Sequence, residues 1–170
     1  NDALLGVDQR EGRIRREAHI RQPHMLGVIG HVLPAGLLVA AQDQADRMTQ
    51  IAKERREPWL AAYGGKVYSE WSLPRLWQVY EEAPHIYKAM DAWVEAGDWL
   101  IWQLTGAYTQ NSCTAGYKSF YQKQTGYPTE EYFAALDEGL RHVIRDKCTA
   151  PILTVGSKAG ELTEEWAHKL

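Results

Sequence analysis

The residues best suited to chemistry lie in the segment Asn111-Ser-Cys-Thr-Ala-Gly-Tyr-Lys118. It combines an amide, hydroxyls and a thiol with a flexible glycine, and it ends in the ammonium of Lys118. Small side chains and glycine let a ligand come close to the backbone, and a polar run between apolar elements is where a hydroxyl-rich ligand can be held. A surface loop that ends in a solvated lysine explains the same residues, since lysine is mostly exposed.

Apolar helices precede this segment. Leu73, Leu76, Trp77 and Tyr80 follow a helical spacing, which predicts a helix with one strongly apolar face and with Ser72 as its N-cap. Residues 97–104 are apolar on every side, so we predict a well-buried helix that ends at Gly106.

Further elements complete the pattern. We expect a helix capped by Asp43, two helices capped by Thr129 and Thr163, and short strands at 93–96 and 151–155. The apolar positions of the first helix are Ala45, Met48, Ile51 and Ala52.

Composition limits the class of protein. The chain of 170 residues fits one ordinary domain, and its net charge of -3 argues against broad nucleic-acid binding. No apolar run is long enough to cross a bilayer, so no membrane partner is expected. Cys113 and Cys148 form neither a disulfide framework nor a zinc spacing, which favours reduced thiols in the cytoplasm.

Residues 1–40 differ from the rest. Every Phe, Tyr and Trp of the chain lies at Trp59 or later, and the first 42 residues hold five arginines but no lysine. We interpret residues 1–40 as an atypical extension. A peripheral linker, a fusion, a divergent insert or an out-of-frame product each fits this composition.

Five sequence blocks, in order, resemble the ribulokinase branch of the FGGY carbohydrate kinases. They are Tyr63-Gly-Gly-Lys-Val-Tyr-Ser-Glu-Trp71, Asp98-Trp-Leu-Ile-Trp-Gln-Leu-Thr-Gly106, Asn111-Ser-Cys-Thr-Ala-Gly-Tyr-Lys118, Gly126-Tyr-Pro128 and Lys158-Ala-Gly-Glu-Leu-Thr163. The resemblance covers residues 41–170, and residues 1–40 do not share it.

The resemblance implies the fold. Residues 41–170 would be a mostly helical α/β fragment of the sugar-binding domain, which is ribonuclease-H-like in the actin-like ATPase superfamily, with an incomplete sheet. The family's catalytic aspartate would lie past Leu170, so no catalytic residue and no metal ligand is expected in this chain. ATP and Mg²⁺ are expected for a full-length parent only.

The resemblance also implies site residues. Lys118 matches the family lysine that contacts the sugar, and Thr114 and Lys66 would lie near the sugar. The alternative interpretation of Lys66 is a solvated lysine in a turn. Cys113 is expected to be a buried small residue, because phosphoryl transfer needs no covalent intermediate. His85, His142 and His168 are interpreted as structural residues on helices.

The implied parent phosphorylates L-ribulose, a pentulose, with ATP in cytoplasmic L-arabinose catabolism, and this chain alone would be inactive. The alternative is a non-catalytic remnant, or a binding fragment of another FGGY sugar kinase. An incomplete sheet would expose a strand edge and apolar patches, so a homo-oligomer is a possible state.

Overall fold

The structure, a computed structural model, describes residues 41–170. The α-helices in this part are Gln42–Glu54 (α1), Ser72–Glu82 (α2), Pro84–Ala89 (α3), Ala96–Thr105 (α4), Ser112–Ser119 (α5), Glu130–Leu136 (α6), Val143–Lys147 (α7) and Glu164–Lys169 (α8). Two 3-10 helices span Pro58–Tyr63 and Glu138–Leu140, and two strands span Gln110–Asn111 (β1) and Ile152–Leu153 (β2). The interpretation of residues 1–40 as an extension lies outside the described residues.

The core forms where α1, α2 and α6 pack together. Ala45, Met48 and Ala52 of α1 are buried, and Leu76 and Trp77 of α2 are each 1% exposed. These are positions that helical spacing predicts, so the predicted apolar faces of α1 and α2 are confirmed.

An aromatic layer joins this core to α5. The rings of Trp59 and Phe120 stack at 4.6 Å, and Tyr132 meets Trp59 edge-on at 5.1 Å. Phe120 ends α5 in the left-handed conformation, with φ 63°, and its side chain is fully buried. Each such aromatic pair contributes about 0.5–1.5 kcal/mol beyond its buried area. The layer therefore fixes the carboxyl end of α5 firmly.

The strands β1 and β2 pair in parallel, with Gln110 opposite Ile152 and Asn111 opposite Leu153. The described part is therefore α/β and mostly helical, as predicted; the actin-like fold stays a prediction. The predicted strand at 151–155 is reduced to two residues. The predicted strand at 93–96 is wrong. Its backbone makes a single hydrogen bond to a distant segment, from Trp93 N–H to the Lys147 carbonyl at 2.7 Å, and no strand lies beside it in the described part.

Two predicted N-caps are wrong and two are confirmed. Ala41 and Trp71 stand at the N-cap positions of α1 and α2, and neither helix has a side-chain cap. Ser72 instead accepts a hydrogen bond from Trp93 Nε1 at 2.7 Å, so its hydroxyl is occupied by packing between elements. Thr129 and Thr163 cap α6 and α8 as predicted.

Helix α4 is less buried than its composition predicts. Gly106 ends it in the left-handed conformation, as expected, and Trp102 is buried. Leu100, however, is 50% exposed and Ile101 is 38% exposed, because no element of the described part covers that face. The prediction of a well-buried helix is therefore wrong. None of the helices between residues 41 and 170 has both the length and the apolar character needed to cross a membrane.

Candidate functional site

The segment Asn111–Lys118 is a helix rather than a loop. Asn111 stands at the N-cap of α5, and its Oδ1 accepts the N–H of Thr114 at 2.9 Å. Such a cap satisfies one of the free N–H groups at a helix start, which offsets the low helix propensity of a Ser-, Thr- and Gly-containing sequence. The interpretation as a surface loop is therefore wrong.

A buried carboxylate connects the start of α5 to α4. Asp98 is 3% exposed and lies in the first turn of α4. Its Oδ1 accepts the backbone N–H of Asn111 at 3.0 Å and the Asn111 amide at 2.7 Å. Its Oδ2 accepts the Thr114 hydroxyl at 2.8 Å. A buried charge is tolerated when it is hydrogen-bonded in this way. We call these three residues the Asp98 clamp.

The Lys118 ammonium lies at the opposite end of α5 and contacts one carboxylate. Its Nζ is 2.9 Å from Glu95 Oε2, and the two side chains are 34% and 17% exposed. Lys118 is therefore neither fully solvated nor buried. Glu95 is the N-cap residue of α4, so both ends of α5 are tied to the start of the same helix.

The middle of α5 rests on the aromatic layer. Tyr63 donates its hydroxyl to the Gly116 carbonyl at 2.7 Å, and burial raises the pKa of Tyr63. A Cβ on residue 116 would stand 3.4 Å from the Tyr121 carbonyl oxygen, and Ala115 is fully buried. A side chain larger than that of Ala115 would therefore overpack this contact, whereas a Cβ on residue 116 would make only an ordinary one.

Lys66 lies beside α1 and away from Lys118 and Thr114. It is exposed, its Nζ is 5.5 Å from the centre of the Tyr68 ring, and it lines an open hollow of about 400 Å³ along α1. The left-handed glycines Gly64 and Gly65 turn the chain toward α1, where Thr49 Oγ1 accepts the Val67 N–H at 2.9 Å. Neither Lys118 nor Thr114 lines that hollow. The structure brings Thr114 and Lys118 onto one helix, but it shows no contact of Lys66 with either.

Curated relatives match most of this chain. The ribulokinase of Bacillus licheniformis is 50% identical over 130 residues, which are 76% of this chain and 24% of the relative. The ribulokinase of Geobacillus thermodenitrificans is 49% identical over 128 residues, 75% of this chain and 23% of the relative. That of Mycolicibacterium smegmatis is 46% identical over 128 residues, again 75% and 23%.

Three quarters of the chain is homologous to ribulokinases. The chain spans about a quarter of the length of these relatives. No model of a protein family matches it.

Two cysteines of this ribulokinase homologue differ in their surroundings. Cys113 is exposed, so the prediction that it is a buried small residue is wrong; the buried residues of α5 are Ala115 and Ser119. Burial raises the pKa of the Cys148 thiol to about 12.

The three histidines that were interpreted as structural lie in or next to helices. His85 and His168 lie within α3 and α8, as predicted, and His168 Nδ1 is 2.7 Å from the Glu164 carbonyl oxygen. His142 immediately precedes α7 rather than lying on a helix, and it is 2.8 Å from Glu130.

Sequence reasoning missed Glu95 and Asp98 as members of the site. A signal was present: two acidic residues three positions apart stand at the start of an otherwise apolar helix, where a buried acid needs a partner. The partners lie 13 to 23 residues away in the chain, at Asn111, Thr114 and Lys118, so sequence spacing alone did not connect them.

Residues 41–170 contain no group of three His, Cys, Asp or Glu side chains that could hold a metal ion. The described residues thus offer no such donor set for Mg²⁺. What they do offer is an ammonium and a carboxylate, partly exposed and held by two helices.

Proposed function

We propose that residues 41–170 form part of the sugar-binding domain of a ribulokinase of the FGGY family, with Lys118 as the residue that donates hydrogen bonds to sugar hydroxyls. The observation that supports this most directly is the partly exposed Lys118 side chain. Its Nζ is held 2.9 Å from Glu95, on a helix that the Asp98 clamp fixes at its start.

The chemistry of Lys118 suits this role. An ammonium has three N–H donors, and only one of them is used within residues 41–170, by Glu95. The remaining donors can bind hydroxyl oxygens, and the positive charge can offset negative charge near a transferring phosphate.

Thr114 has a different role in this proposal. Its hydroxyl proton is directed at Asp98, so it positions α5 and leaves the sugar to Lys118. Lys66 is a weaker sugar ligand in this proposal, because it lines a hollow that Lys118 does not share.

For the longer protein we propose the reaction that the relatives' name indicates. A ribulokinase transfers the γ-phosphoryl group of ATP to L-ribulose, with Mg²⁺ holding the phosphates. This reaction would serve L-arabinose catabolism in the cytoplasm. The described residues would contribute sugar positioning, which is a large part of catalysis in phosphoryl transfer. We expect the 170-residue chain by itself to bind sugar without releasing ADP from ATP.

Calorimetric titration of the chain with L-ribulose tests the proposal. We expect binding by the unaltered chain and at least roughly tenfold weaker binding by Lys118→Met, the loss typical of a hydrogen bond to a charged group. Lys88→Met, at an exposed lysine of α3, is the matched control and should bind normally. No binding by the unaltered chain, or equal binding by Lys118→Met, would contradict the proposal.

A further inference from the structure

The polar side chains at the start of α5 are hydrogen-bonded within the fold. Asn111 and Thr114 are engaged by Asp98, and Ser112 Oγ accepts the Val155 N–H at 3.3 Å. Lys118 and Glu95 differ, because within residues 41–170 each is engaged only by the other. Glu95 Oε1 has no hydrogen-bond partner in this part of the chain, and the ammonium keeps two free donors.

We propose that Glu95 is a second sugar contact, and that the Glu95–Lys118 pair binds two neighbouring hydroxyls of the sugar together. This inference rests on the proposed sugar site at Lys118. One hydroxyl would donate to Glu95 Oε1 while its neighbour accepts from Lys118 Nζ. A sugar hydroxyl can act in both ways, as donor and acceptor, so a carboxylate beside an ammonium complements a pair of adjacent hydroxyls.

The position of Glu95 supports a role of this kind. As the N-cap residue of α4 it is fixed by the hydrogen bond from Trp99 N–H to its own carbonyl, at 2.8 Å. Asp98, three residues later, holds the start of α5. The separation of the carboxylate and the ammonium is therefore set by two helices, which gives a preorganised contact.

The exposure of the pair also fits. Both side chains are partly open, at 17% for Glu95 and 34% for Lys118, so a ligand can reach them. Because both side chains are only partly buried, solvent screens part of their attraction, and the pair contributes modestly to folding. If the pair only stabilised the fold, its substitution would not change the affinity for sugar.

The test is titration of three variants with L-ribulose. We expect Glu95→Gln to bind at least roughly tenfold more weakly than the unaltered chain, because an uncharged amide is a weaker acceptor than a carboxylate. Glu95→Asp keeps the charge but shortens the side chain, so it should lose less sugar affinity than Glu95→Gln. Glu165→Gln is the matched control, since Glu165 pairs with Lys169 on α8, and it should bind normally.

The outcomes separate the two proposals. Equal or tighter sugar binding by Glu95→Gln, with weak binding by Lys118→Met, overturns the role of Glu95 and leaves the sugar site standing, because Glu95 would then only compete for the ammonium. No sugar binding by the unaltered chain overturns both. If Glu95→Gln does not melt cooperatively, Glu95→Asp decides. Sugar binding measurably weaker than that of the unaltered chain supports the proposal, because the shorter carboxylate reaches the hydroxyl less well. Sugar binding equal to that of the unaltered chain overturns it.

Discussion

Two regions of the described chain are stabilised in different ways. The aromatic core, formed by α1, α2 and α6 with Trp59 and Phe120, is packed on apolar side chains that are almost fully buried. The polar region, formed by α4, β1, β2 and the start of α5, is connected through Asp98 and leaves Leu100 at 50% exposure. Helix α5 belongs to both, since its end rests on the core and its start on the Asp98 clamp.

The two regions contribute differently to stability and to geometry. Burial of apolar area in the aromatic core supplies stability without dictating the direction of any polar group. Directional hydrogen bonds in the polar region place Lys118 and Glu95 but bury little surface. Variants in the aromatic core should therefore change mainly the free energy of unfolding, whereas variants in the polar region should also change sugar binding.

The largest effect should come from the aromatic core. Trp77 is 1% exposed, so Trp77→Ala should lower the free energy of unfolding by about 3–5 kcal/mol, through lost transfer energy and a cavity. Urea unfolding measures this. Leu162→Ala, at a residue that is 46% exposed and outside the aromatic core, should change the free energy of unfolding by less than about 0.5 kcal/mol. Equal losses would remove the distinction between the regions.

The Asp98 clamp should have the next largest effect. Asp98→Ala removes a buried acceptor of three hydrogen bonds and should cost roughly 1.5–3 kcal/mol of folding free energy. The same variant should weaken L-ribulose binding, because α5 loses its anchor. Asp91→Ala, at an exposed aspartate, is the control for both measurements. Normal sugar affinity in a folded Asp98→Ala chain would show that the clamp does not position the site.

Alkaline pH should destabilise the chain through Cys148. Its pKa is raised by burial from 9.0 to about 12, so the folded state keeps a proton that the unfolded state releases. This contribution is complete below pH 9 and is lost as the pH rises from 9 toward 12, by roughly 1 kcal/mol at pH 10. Urea unfolding at pH 8 and pH 10 should show a smaller drop for Cys148→Ala. An identical drop in unfolding free energy for the two chains would contradict the role of Cys148 in the alkaline destabilisation.

The smallest effect on stability should come from the exposed face of α4. Leu100→Glu should change the unfolding free energy by less than about 0.5 kcal/mol. It should reduce self-association, because exposed apolar residues on α4 favour contact between copies. Sizing chromatography compares it with Ala135→Glu, at an exposed residue of α6, which should leave association unchanged. A monomeric unaltered chain would contradict the expectation of a homo-oligomer.

Sequence reasoning succeeded where a feature depends on local order. The helical spacing of Met48 and Leu76 predicted their burial, and Gly106 and Thr129 marked helix ends, because caps and faces are set within a few residues. Leu100 shows the limit: composition measures how apolar a helix is, but not what covers it.

The candidate site was predicted only in part. Lys118 and Thr114 were singled out, but the segment that carries them was not recognised as a helix. Its stability depends on Asp98, which is 13 residues before Asn111, and such a long-range contact leaves no periodic signal in sequence. Lys66 was grouped with them through the family resemblance. The turn at Gly64 and Gly65 places it beside α1, and its role at a sugar stays a prediction.

An amide-resolved NMR titration of the chain with L-ribulose tests the central claim most directly. Binding at the Lys118–Glu95 pair predicts shift changes concentrated at residues 95–98 and 111–118, with little change around Lys66. Shift changes centred on the hollow that Lys66 lines, or no change at saturating sugar, would contradict the placement of the sugar beside Lys118.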